Sequence, residues 1–158
     1  MKKLLFTALL FVAAFYAGAQ STKPILQSIG VKVYPGAITY KQYMTESVAK
    51  ELLAYFNEDG FRLTGLYEKH MPVPNAEGLE WYVGGGGHFG LWNNSWRLRN
   101  PPSTAVFAIG VDGVLGLDYK IPNAPLAVSF DWQPSFNLVG HTYFEGGWGG
   151  LAVRYTFK

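Results

Sequence analysis

The chain has no cysteine among its 158 residues, which excludes a disulfide framework and any thiolate metal site. Charge is scarce as well. Asp, Glu, Lys and Arg together make up 15% of the residues, against about a quarter in a soluble domain. Two of the 13 basic residues sit at the extreme N-terminus, and the remaining 11 face 11 acidic ones. Without those two lysines the chain is neutral by formal count, which gives no case for nucleic-acid binding. After the first twenty residues no run of 18 consecutive apolar residues occurs, so no spanning helix is expected. Entry into a membrane would then require a closed barrel.

What is present is aromatic side chains, 16% of the total, and 19 glycines. The length suits one domain with a core of its own. The opening MKKLLFTALLFVAAFYAGAQ has Lys2 and Lys3, an apolar run from Leu4 to Tyr16, and the small residues Ala17-Gly18-Ala19. This is the form of a secretory signal peptide with an A-x-A cleavage site. The apolar run is shorter than the roughly 20 residues that a membrane anchor needs. Residues 1–19 are therefore read as a signal peptide, 20–27 as a polar lead-in, and 28–158 as the folded unit.

Eight strand candidates follow, separated by turn residues: 28–34, 37–44, 50–56, 61–70, 79–92, 105–121, 126–138 and 148–157. The third and fourth are joined through Asn57-Glu58-Asp59-Gly60, where Asp-Gly marks a two-residue hairpin. The segment 45–56, TESVAKELLAYF, also fits an amphipathic helix capped by Thr45 or Ser47. The hairpin's need for a partner to 61–70 favours a strand.

Alternation then separates two faces. In 126–138 the even positions are Leu126, Val128, Phe130, Trp132, Pro134, Phe136 and Leu138. The odd positions are Ala127, Ser129, Asp131, Gln133, Ser135 and Asn137. Phe107, Ile109, Val111, Leu115, Leu117 and Tyr119 likewise oppose Ala108, Gly110, Asp112, Gly116 and Asp118. Packed as a soluble core, the large set would overfill eight strands, and the polar set would make a surface poor in Lys and Glu. Reversed, the large residues meet lipid and the small and charged ones fill a narrow lumen. The fold class expected is all-β: an eight-stranded antiparallel up-and-down transmembrane barrel with a polar, side-chain-filled lumen.

The lumen candidates are balanced. Lys32, Lys41, Arg62, Lys120 and Arg154 face Glu68, Glu80, Asp112, Asp118 and Asp131. A buried charge without a partner costs several kcal/mol, so such a set is expected to neutralise itself. Asp112, Asp118 and Asp131 are read as partners of Arg154, Lys120 and Arg62. Trp81, Trp132, Tyr119, Tyr155 and Phe157 suit the aromatic girdles of a membrane barrel. Pro134 removes a ladder hydrogen bond, and a bulge or strand end is expected there.

The stretches GAITYKQYM, FRLTGLYEKH, LEWYVGGGGHFGLW, GVDGVLGLDYKIPNAPLAVSFDWQPSFNL and GGLAVRYTF resemble the small outer-membrane β-barrel proteins of the Bacteroidetes type. The resemblance runs from Gly30 to Phe157. It implies a location in the outer membrane, among its lipids. The alternating ending Leu151, Val153, Tyr155 and Phe157 is similar to the signal read by the outer-membrane assembly machinery, although Lys158 follows it. An activity is not implied.

Catalytic and cofactor motifs are weak. Gly85, Gly87 and Gly90 in GGGGHFG match G-x-G-x-x-G, but no helix follows, and a bent strand is the better reading. Asn93-Asn94-Ser95 matches a glycosylation acceptor by letters only. His70, His88 and His141 are too scattered for a metal site. No cofactor, no metal and no catalysis are expected. Two alternatives stay open: a lipid-modifying hydrolase using Ser129 or Ser135 with His88, and a narrow solute channel. The loops 93–104 and 139–147 carry Trp96, Arg97, Arg99, His141, Tyr143 and Phe144, the candidates for contact with an extracellular ligand of unknown identity. A monomer is expected.

Overall fold

The computed structural model describes residues 26–58, 60–94, 98, 106–140 and 144–158. The chain is a closed antiparallel barrel in which each strand pairs with its neighbours in sequence and the last pairs with the first. The strands are β1 (Gln27–Lys32), β2 (Ala37–Tyr43), β3 (Val48–Asn57), β4 (Gly60–Pro72), β5 (Leu79–Trp92), β6 (Phe107–Lys120), β7 (Leu126–Val139) and β8 (Phe144–Phe157). No helix among the described residues is long and apolar enough to cross a membrane. The signal-peptide segment lies outside the described residues.

Register fixes the shape. From Ala127 on β7, the register partners run Arg154, Gly30, Thr39, Leu53, Thr64, His88 and Gly110, and return to β7 at Asn137. One circuit therefore ends ten residues further along the strand. A stagger of this size over eight strands requires a strand tilt of about 35–45°. All strands end at nearly the same level on the side of the termini. On the other side, β5 to β8 with 14 residues each rise above β1 and β2 with six and seven. This leaves a low sill over the β1–β2 turn.

The segment 45–56 is not a helix, since Val48–Asn57 forms β3 between β2 and β4. Several strand limits differ from the sequence reading. Asn57 pairs with Gly60, so Gly60 closes the hairpin as a strand residue instead of sitting at the centre of its turn. Its φ of 151° and a Cβ position 1.9 Å from the Leu91 carbonyl oxygen both demand glycine. β8 starts at Phe144, four residues before the expected 148, which places Phe144 in a strand rather than a loop. A register shift lies between Gln133 and Ser135 on β7 against β8, at Pro134, whose missing N–H cannot continue the ladder.

Large rings occupy the interior, against the expectation that only small and charged side chains fit. Tyr43, Tyr55, Tyr82, Trp92 and Trp148 are all buried. Inward glycines supply the space. A Cβ on Gly116 would come within 2.6 Å of the Tyr82 ring, and one on Gly110 within 2.5 Å of the His88 ring. In GGGGHFG, Gly84 and Gly86 let β5 approach β4 closely. A Cβ there would lie 2.2 Å from the Tyr67 carbonyl oxygen and 1.8 Å from that of Gly65.

Candidate functional site

Inward residues of all eight strands meet in one polar column along the barrel axis. At the end of the long strands, Arg62 of β4 pairs with Asp112 of β6 and, at 3.3 Å, with Glu145 of β8. Its Nη1 donates to Ser135 Oγ and its Nε to Thr64 Oγ1. The guanidinium lies 4.1 Å over the Trp148 ring, a cation–π arrangement. His88 Nδ1 faces Asp112 Oδ2 at 2.9 Å, and its Nε2 lies 2.7 Å from Asn137 Oδ1. Gln133 links this group inward by donating to Asp112 and accepting from the Tyr55 hydroxyl.

Below it, Lys32 of β1 donates to both oxygens of Asp131 on β7, at 2.8 and 2.9 Å, and the Tyr82 hydroxyl donates to the same carboxylate. Next comes the densest cluster. Lys41 of β2 meets Glu68 at 2.8 Å, Glu51 at 3.3 Å and Asp118 at 3.6 Å. Arg154 of β8 donates to Glu51 at 3.1 Å and to Asp118 at 2.9 Å, and Thr39 donates to Glu51. At the mouth near the termini, His70 has Glu68 on Nε2 and Glu80 on Nδ1, both at 3.1 Å. Lys120 reaches Glu80 at 3.0 Å. His70 stacks on Tyr82, with ring centroids 4.8 Å apart.

The ten charged residues selected from the alternation all lie on this column. Eight are buried, while Glu80 and Lys120 sit half-buried at the mouth. The pairing differs from the one expected. Asp112 partners Arg62, Asp118 partners Arg154 and Lys41, and Asp131 partners Lys32, because the tilt sets inward residues of distant strands at one level.

Two acids were missed. Glu51 is buried in the densest cluster, and Glu145 is the second partner of Arg62. Glu145 has the opposite parity from Ala152 and Arg154, and only the shift near Pro134 turns it inward. Glu51 stands in KELLAYF, where apolar Leu52 and Leu53 hide the alternation.

The hydrolase pair is not assembled. Both nitrogens of His88 are engaged with Asp112, Arg62 and Asn137. Ser135 Oγ serves Arg62, and Ser129 Oγ is buried without a hydrogen-bond partner. Among the described residues no group of three or more His, Asp or Glu is arranged to hold a metal ion. Trp96, Arg97, Arg99, His141 and Tyr143 lie outside the described residues, while Phe144 is exposed at the start of β8. Leu151, Val153, Tyr155 and Phe157 all point out of the barrel. Comparison with protein-family models and with curated protein sequences gives no match.

Proposed function

We propose that this protein is an integral outer-membrane β-barrel whose role is structural or one of surface interaction, without catalysis. One observation carries the reading: burial is inverted. Phe130 is 63% exposed and Trp132 50%, while Lys41 is 0% and Arg154 1% exposed. Water does not favour such an arrangement, because exposed apolar area and buried charge both cost free energy there. With hydrocarbon outside the wall, apolar residues there no longer meet water, and charges are better placed in the lumen than on the outer face. Closure leaves no strand edge at membrane depth.

The ion column occupies the interior that a solute channel would need open, so reconstituted protein is expected to give no discrete conductance steps in a planar bilayer. The outward Leu151, Val153, Tyr155 and Phe157 suit recognition by the assembly machinery, and the apolar wall suits outer-membrane lipids. Membrane fractionation with heat-modifiable gel mobility tests the reading. A band that fractionates with outer membranes and migrates faster unheated is the expected result. Processed protein that stays monodisperse in buffer without detergent overturns it.

A further inference from the structure

The outward wall bears charge at one place. Among the described strand residues that point out of the barrel, only Lys50 of β3 and Lys69 of β4 are charged. They are not scattered. Lys50 pairs in register with Tyr67, and Lys69 lies two residues further along β4, so the lysines are diagonal neighbours about 7–8 Å apart at the backbone. Gln42 of β2 pairs with Lys50 from the other side. The patch Gln42–Lys50–Tyr67–Lys69 therefore presents an amide, two ammonium groups and a phenol, all able to donate.

Its level on the wall matters. Lys50 is the third residue of β3, and Lys69 stands three before the end of β4. At about 3.3 Å per residue and a tilt near 40°, both lie roughly 5–8 Å inside the rim on the side of the termini. Elsewhere around the barrel that level is held by Trp81, Leu117, Val128 and Tyr155. Two like charges side by side repel, and long Lys side chains reach toward the headgroup layer. The adjoining β2–β3 and β4–β5 turns carry one exposed carboxylate each, Glu46 and Glu77.

We propose that Lys50 and Lys69, flanked by Gln42 and Tyr67, bind the phosphate of an anionic phospholipid in the leaflet that meets the terminal end of the barrel. The proposal rests on the membrane reading above. A lipid is favoured over a protein partner because both cations stand on the lipid-facing parity, with Leu52 and Tyr67 beside them. The test is native mass spectrometry of the full chain released from detergent micelles doped with phosphatidylglycerol or phosphatidylcholine. Wild type retains phosphatidylglycerol preferentially, and the preference falls about fivefold for each lysine removed in K50Q and K69Q. The K50R/K69R variant keeps it.

Equal retention of the two lipids, or undiminished phosphatidylglycerol retention by K50Q/K69Q, overturns the site. Heat-modifiable mobility of each variant is read alongside. A chain that needs no detergent defeats the membrane reading itself. A detergent-requiring, heat-modifiable chain indifferent to lipid charge defeats only this inference.

Discussion

The inner and outer faces of this barrel are built from the same strands and often from adjacent residues, yet they answer to different physics. Phe130 and Asp131 are neighbours in β7. Phe130 touches whatever surrounds the barrel, and any apolar group of similar size would serve there. Asp131 holds Lys32 through both oxygens and accepts from Tyr82; no other side chain keeps all three contacts. Apart from Lys50 and Lys69, the described outer face is thus specified by hydrophobicity. The inner face is specified partner by partner, because a charge out of water is tolerable only when matched and hydrogen-bonded. Substitutions that exchange the demands of the two faces should therefore separate them.

The largest effect is expected inside. Lys41→Met removes the cation that Glu51, Glu68 and Asp118 share. Removing one partner of a buried pair costs about 3–5 kcal/mol. Urea unfolding in lipid vesicles should register the loss, with Lys41→Arg retaining part of it. A cost below that of an outward Ile38→Leu exchange would mean that the cluster contributes nothing.

Next comes the outer face. Phe130→Arg should cost about 2–4 kcal/mol if residue 130 lies near the bilayer midplane. An Arg at Phe130 that leaves the unfolding midpoint unchanged would show that the wall faces water. Between the faces lies the backbone itself. Gly86→Ala would place a methyl against the Gly65 carbonyl, forcing β4 and β5 apart, at about 1–3 kcal/mol for overpacking. Gly85→Ala, whose nearest neighbour is the Asp112 carbonyl oxygen at 3.2 Å, should cost less. A reversed order would mean that β5 does not approach β4 closely at Gly86.

The same contrast explains what the sequence disclosed. A strand whose alternation is clean, such as β6 or β7, can be oriented by eye, because outward-facing and inward-facing residues differ at every step. Pro134 announced its own irregularity through its missing N–H. β3 was harder, since Ala49, Leu53 and Tyr55 face inward and Leu52 and Phe56 outward, so both parities are apolar and Glu51 stays hidden. Glu145 could not be found by counting, because one extra residue reverses the parity of everything beyond it. The identity of each ion pair was out of reach for a different reason. Pairing inside the barrel depends on the stagger of ten, and the stagger is a property of all eight registers together.

The smallest effect is the most discriminating for chemistry. Ser129 is buried, opposite Asp118 in register, and its hydroxyl has no hydrogen-bond partner. Ser129→Ala removes a polar group that the fold does not use and leaves a residue of nearly the same volume. Its stability should stay within about 0.5 kcal/mol of wild type, or rise slightly as an unsatisfied hydroxyl is lost. Any hydrolysis of lipid A acyl chains by the purified barrel would have to survive this change, since neither nitrogen of His88 is directed at Ser129. Activity that disappears with Ser129→Ala, while unfolding is unaltered, would make the hydroxyl a nucleophile and the ion column part of a catalytic site.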